Sequence, residues 1–189
     1  RPGVILTNSS CPPPSVSAAP IAASSSEEYR VRPRPFVPEM LDGGGVYVRD
    51  LTSGLVWHRC GMRTLYADTD RSNVVYHANY LRYFEFGRAS LMRDAAYTYR
   101  EVEESGYIYP IIATAIDYYR PLRYDDAMYI HTRPGNRERV KLQFDYVITH
   151  ALDGDIVCIG FTKHCAVNAK GIPVAVDDKT VHLWQTFPA

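Results

Sequence analysis

The chain has 189 residues, with 21 lysines and arginines against 21 aspartates and glutamates; 46% are hydrophobic and 22% charged. This is the composition of a soluble globular domain, and the balanced charge argues against a general nucleic-acid binder, which carries a basic excess. No apolar run approaches the roughly 18 residues of a membrane span. The four cysteines (Cys11, Cys60, Cys158, Cys165) form neither a CxxC pair nor a zinc spacing, so a reducing, cytoplasmic setting is expected.

Eight of the 13 prolines fall at or before Pro38, in a stretch also rich in serine. Such a segment buries too little apolar surface to offset its ordering entropy. Residues 1–45 therefore read as a flexible leader, with Gly43-Gly44-Gly45 as the joint, and 46–189 as the folded domain. An organelle transit peptide is the alternative, since the stretch is rich in Ser and Ala and poor in acids; its lack of an amphipathic pattern argues against that.

Val46 to Arg49 reads as a hairpin arm, Thr52-Ser53-Gly54 as its turn and Leu55 to Leu65 as a strand. Asp68 to Asn73 is polar and reads as a loop. From His77 to Glu104 there is no proline and one glycine, and Tyr80, Phe84, Gly87, Leu91 and Ala95 share a face flanked by Leu81, Arg88 and Met92. That spacing predicts one long helix. Strand-like runs follow at Tyr107–Tyr119, Ala127–Arg133, Val140–Thr149, Ile156–Val167 and Ile172–Val176. In the third, Val140, Leu142, Phe144, Tyr146 and Ile148 alternate with more polar neighbours, as a half-buried strand does. Asp153-Gly154 signals a hairpin, so the sheet is antiparallel. One apolar helix covered by one sheet makes the class α+β.

The segment from Tyr66 to Leu81 carries the chemistry. Asp68 and Asp70 sit in a short loop and His77 opens a helix. A helix start presents unpaired N–H groups and the positive end of the macrodipole, a place for a developing oxyanion. A carboxylate seven residues earlier can fold back over it as base or nucleophile. On the residues alone, an Asp before a helix is as readily a cap or turn former, and His77 as readily structural.

Tyr66-Ala-Asp-Thr-Asp70, Val74-Val75-Tyr76-His77-Ala-Asn-Tyr80-Leu81 and Phe84-Glu85-x-x-Arg88 together resemble the 4-hydroxybenzoyl-CoA thioesterase family of the hotdog fold. Within it they are most similar to the short bacterial acyl-CoA thioesterases associated with the Tol–Pal system. Ile116-Asp117-Tyr118, Pro121-x-x-Tyr124-Asp125-Asp126 and Phe144-x-Tyr146-x-Ile148 agree, so the likeness spans about Val56 to Val176. The resemblance implies a long helix wrapped by a five- to six-stranded antiparallel sheet. It also implies a homodimer or homotetramer with sites at the subunit interface. Asp70 falls on the family's catalytic Asp, and His77 on the residue whose backbone N–H polarises the thioester carbonyl. Asn73 replaces the family's usual Gly; Asn is the best other residue for positive φ, so the loop is expected to keep its path.

The expected reaction is hydrolysis of acyl-CoA by water activated at Asp70, or by direct attack to a mixed anhydride. No metal or cofactor is expected, coenzyme A being part of the substrate. Tyr76 is a candidate for shaping the acyl pocket or packing in the core. Glu85 is a rival carboxylate, two turns past His77 and about 80° off its face, with an ion pair to Arg82 or Arg88 as the simpler alternative. Arg133, Arg137, Arg139 and Lys141, around Gly135-Asn136, are candidates for the coenzyme phosphates or merely a solvated hairpin end. The other readings are a hotdog hydratase or dehydratase on acyl-carrier-protein or CoA substrates, and a non-catalytic acyl-CoA-binding module.

Overall fold

The computed structural model describes residues 35–41 and 46–187. Of the leader expected over residues 1–45, with its transit-peptide alternative, residues 1–34 and 42–45 lie outside the described residues, as does Cys11. The described chain forms strands β1 (Pro38–Met40), β2 (Tyr47–Asp50) and β3 (Val56–Arg63), then helices α1 (Tyr80–Asp94) and α2 (Tyr99–Glu104). Strands β4 (Tyr107–Ile108), β5 (Ile111–Tyr118), β6 (Ala127–Arg137), β7 (Lys141–His150), β8 (Ile156–Cys165) and β9 (Val167–Asn168) follow, and α3 (Asp178–Thr186) ends the fold. Seven strands make one antiparallel sheet in the order β1-β2-β3-β6-β7-β8-β5, and β4 pairs with β9 separately. The sheet is larger than the five to six strands expected, because β1 and β2 extend the β3 edge. Pairing thus begins upstream of Gly43, where the composition had suggested a linker.

α1 lies across one sheet face, against β3 and β6. Tyr80, Tyr83, Phe84, Gly87, Leu91 and Met92 are buried there, whereas Leu81 points outward and Ala95 is only half-buried. Gly87 lets the helix approach: a Cβ on it would lie 2.5 Å from Thr132 Oγ1 and 2.6 Å from Ile130 Cγ2. Phe84 stacks flat on Tyr146 with centroids 4.2 Å apart.

The single helix expected from His77 to Glu104 is two helices. α1 stops short of Ala96, whose φ of 53° lies in the left-handed region, with the Tyr97 N–H reaching back to Met92 O at 3.0 Å. That is a Schellman-type stop built on alanine instead of glycine. The chain restarts at Thr98, which caps α2 through a reciprocal bond with Glu101. Arg88, buried on α1, donates to the hydroxyls of Tyr99 and Tyr146, the latter at 3.2 Å. Tyr146 Oη lies 2.9 Å from Thr162 Oγ1, which is 2.9 Å from His164 Nε2, and His164 Nδ1 is 2.8 Å from Tyr109 O.

The opposite sheet face carries a second, smaller core of Phe36, Val48, Trp57 and Val147. This layer explains why β7 is buried on both faces near its end, Val147 and Thr149 included, instead of alternating throughout. Ile172–Val176, expected as a strand, makes only an isolated bridge at Pro173. The chain then enters α3, capped by Asp177, whose carboxylate accepts from Thr180 N, Tyr97 Oη and Tyr109 Oη. Trp184 of α3 packs edge-on to Phe144 and donates to Gly135 O at 3.0 Å.

Candidate active site

The loop before α1 is a small closed structure. The Thr69–Val75 bridge ties its ends, and Asp70 N–H donates to Val74 O at 2.9 Å. Asn73 sits at φ 59°, so asparagine does occupy a left-handed position here, as expected for the best non-glycine residue. The Asp70 carboxylate accepts the Ser72 N–H at Oδ1 (2.7 Å), and among the described residues Oδ2 meets no protein donor. Asp70 itself is half-buried.

Asp68 is more than a turn former. It is 1% exposed and accepts from Leu65 N (3.1 Å), Arg82 Nη1 (2.9 Å) and Tyr83 Oη (2.9 Å). Its carbonyl accepts from Tyr76 N–H (2.9 Å) and Asn79 Nδ2 (2.8 Å). Asp68 therefore fastens the loop to the helix start. The carboxylate beside Tyr83 and the burial of its ring push the phenol far above its usual range, burial being the larger cause.

The helix opens on a short 3-10 turn, His77–Asn79. The Asn79 N–H is satisfied by Tyr76 O, whereas the His77 N–H has no protein acceptor among the described residues. The His77 side chain is exposed and its ring centroid lies 4.3 Å from that of Tyr76. Tyr76 is exposed too, which rules out a core-packing role for it. His77 lines a cleft of about 240 Å³ with Val75, Tyr80, Tyr118, Tyr119, Arg120 and Pro121. Asp70 and Asn73 lie in the adjoining loop and not in the cleft wall. Tyr118, Tyr119 and Arg120 could not be assigned to this wall from sequence, because β5 reaches His77 only through tertiary packing. A larger hollow of about 480 Å³ lies between α3, the end of α1 and Tyr47. It contains none of the candidate catalytic residues, so the smaller cleft is the better candidate site.

Glu85 is exposed on α1, and among the described residues it forms no ion pair with Arg82 or Arg88. Arg82 is held by Asp68, and Arg88 by two tyrosines. The basic cluster lies elsewhere. Arg133 sits on the opposite sheet face from α1, over the Trp57 ring and 3.9 Å from Asp145. Arg137 and Arg139 are exposed, and Lys141 pairs with Glu138 at 3.6 Å. His77 is tied to the Tyr118 end of the sheet, and the β6–β7 turn is at the other end, about 30 Å along the strands. Within one chain these cations do not meet the cleft. No group of three or more His, Cys, Asp or Glu capable of holding a metal occurs among the described residues.

The profile of the thioesterase-like superfamily matches residues 65–184, and the chain belongs to that family. It is thus an enzyme of the thioesterase class on the hotdog fold. YneP of Bacillus subtilis is 30% identical over 121 residues, 64% of this chain and 87% of YneP. The acyl-CoA thioester hydrolase YbgC of Escherichia coli O157:H7 is 29% identical over 93 residues, 49% of this chain and 69% of YbgC. A solved protein of Aquifex aeolicus superposes with a TM-score of 0.63 at 26% identity, covering 67% of this chain and 98% of that one. A 1,4-dihydroxy-2-naphthoyl-CoA thioesterase of Synechocystis shares the fold at 16% identity, with a TM-score of 0.64 over 68% of this chain and 96% of its own.

Proposed function

We propose that the chain hydrolyses acyl-CoA thioesters to free acid and coenzyme A at the His77 cleft. The observation that carries this reading is the helix-start amide of His77, without a protein acceptor and on a cleft wall, preceded by a carboxylate with one oxygen uncommitted. In the proposed step Asp70 takes a proton from water as its oxygen bonds to the thioester carbon. The carbonyl electron pair moves to oxygen, where the His77 N–H stabilises it. Collapse breaks the C–S bond, and the departing thiolate takes the proton back. A thiol of pKa about 8–9 leaves without a strong acid, so neither metal nor cofactor enters this chemistry. Direct attack by Asp70 to a mixed anhydride is the competing form of the same proposal.

A second copy belongs to this reading. β5 is an edge strand, and Ile111, Ile112, Ala113, Thr114 and Ala115 are all exposed along it. Antiparallel pairing of two β5 strands would continue the sheet. It would also bring the second copy's Arg137, Arg139 and Lys141 to the end of the sheet that holds His77, which supports their role toward the coenzyme phosphates. Affinity to the 4-hydroxybenzoyl-CoA and Tol–Pal-associated branches rests on the Tyr66–Leu81 motif and is part of the same proposal. So is a reducing, cytoplasmic setting, which the free thiols of Cys60, Cys158 and Cys165 support. No helix among the described residues is long and apolar enough to cross a membrane.

Thiol release from acyl-CoAs of graded length tests the proposal. Asp70→Asn should lose about 10²–10⁴-fold in kcat with its far-ultraviolet circular dichroism unchanged. Loss in Glu85→Gln with full rate in Asp70→Asn would move the base to α1. Water addition to an enoyl-CoA without thiol release would favour the hydratase alternative.

A further inference from the structure

Tyr118 ends β5, at the margin of the cleft, and its hydroxyl donates to the main-chain carbonyl of His77 at 2.8 Å. Its ring stands edge-on to Tyr80, with centroids 5.2 Å apart. Yet the side chain is not core: Tyr118 is 48% exposed. A half-solvated phenol thus turns back to bond a backbone carbonyl at the start of the catalytic helix.

The bond matters because of what it holds. His77–Asn79 is one 3-10 turn, a geometry with poor internal hydrogen bonding. Its flanks are fastened: Tyr76 N–H and Asn79 Nδ2 both reach Asp68 O. The His77 carbonyl between them is engaged by the Tyr118 hydroxyl. The His77 carbonyl lies in the peptide plane shared with Ala78, and the His77 N–H in the preceding plane, whose Tyr76 carbonyl accepts the Asn79 N–H; the two planes meet at the His77 Cα, so holding the second limits how far the first can turn. An oxyanion donor acts only if it is already aimed where charge will develop, and small misplacements cost rate steeply.

We propose that Tyr118 is a positioning residue of the thioesterase site: its hydroxyl holds the His77 main chain so that the His77 N–H faces the developing oxyanion. This rests on the hydrolase reading above and adds to it a residue from another part of the fold. Burial, and secondarily the Cys158 thiol, shift the Tyr118 phenol upward, so it remains a donor at neutral pH. The bond also couples the site to the β5 edge, since any displacement of that strand end is passed to the helix start.

Tyr118→Phe keeps the ring against Tyr80 and removes only the donor. The expected result is a 10- to 100-fold fall in kcat, with KM within about twofold and the melting temperature nearly unchanged. Amide NMR provides a readout independent of activity: the His77 and Ala78 resonances should shift in Tyr118→Phe while those of α3 stay in place. Tyr124→Phe, which removes another exposed phenol outside the cleft, is the control and should retain the wild-type kcat. A wild-type kcat in Tyr118→Phe overturns the proposal and leaves the hydrolase reading intact, as does a rise confined to KM. A wild-type enzyme that releases no thiol from any acyl-CoA overturns the hydrolase reading itself, and this proposal with it.

Discussion

Asp68 and Asp70 are two residues apart and have opposite fates. Asp68 is sealed under three donors and knits the loop to the helix, whereas Asp70 spends one oxygen on its own turn and, among the described residues, leaves the other without a protein donor. Asp68→Ala should therefore lower unfolding stability in urea by about 2–3 kcal/mol, the scale for hydrogen bonds to a charged acceptor. Asp70→Asn should change stability little and activity greatly. Histidines set the acid limit of the fold. His131 and His164 are buried, and burial is the first cause holding their pKa values down, to about 3 and about 4. As pH falls below the unfolded value near 6.5, the unfolded chain binds protons that these rings refuse. Stability is thus lost on acidification from about pH 6.5 toward 4, at up to about 1.4 kcal/mol per pH unit for each ring. His131→Gln should show a flatter stability profile than wild type between pH 6.5 and 4, measured by urea unfolding at each pH.

The break between α1 and α2 places Ala96 in a conformation that costs an L-residue about 1–2 kcal/mol. Ala96→Gly should raise stability by about 0.5–1 kcal/mol, a net gain after glycine's greater entropy in the unfolded chain. Thr98→Ala, which removes a cap, should lower it by about 1 kcal/mol. Both are read from thermal or urea unfolding. This break also shows where sequence reasoning reaches its limit. The Tyr80–Phe84–Gly87–Leu91 stripe and the hairpin at Asp153-Gly154 follow from periodicity and turn chemistry, which are local. A helix stop made with alanine carries no Gly or Pro signal, and the Thr98-x-x-Glu101 box that restarts the helix was not recognised within an otherwise continuous helical pattern. α3 was hidden because Ile172–Val176 is short and apolar like a strand, and because Asp177 is recognisable as a cap only once Thr180 is known to be helical. β1 was hidden by Pro38 and by the prolines that precede it. The site divides in the same way. Asp70, Asn73 and His77 lie within eight residues and could be read together, whereas Tyr118 and Arg120 come from the end of β5 and the bend after it, and no spacing encodes that meeting.

At the scale of the molecule, β5 is the feature that one chain leaves unfinished. An edge strand with five consecutive exposed residues, two of them isoleucine, presents unpaired backbone groups to another chain. Light scattering should give twice the mass of one chain or a multiple of that. Ile111→Glu with Ile112→Glu should yield monomers whose thiol release falls with the monomer fraction. Monomeric wild type with full activity would remove the second copy from the site.

The contacts from Arg88 to Tyr109 allow only one arrangement of protons. A guanidinium can only donate, so the Tyr146 oxygen accepts and passes its own proton to Thr162; Thr162 must then donate to His164 Nε2. The Tyr109 carbonyl can only accept, so Nδ1 carries the hydrogen. The chain has a polarity, from the helix at Arg88 to the peptide that leads into β5. His164 is consequently locked in its less common tautomer, which nitrogen-15 NMR of the imidazole would display directly. Protonating Nε2 would make that nitrogen a donor, so the Thr162 oxygen would have to accept there and its own proton would need another partner. The peptide leading into β5 is thus joined to α1 through three intervening side chains, although it bonds directly to only one of them.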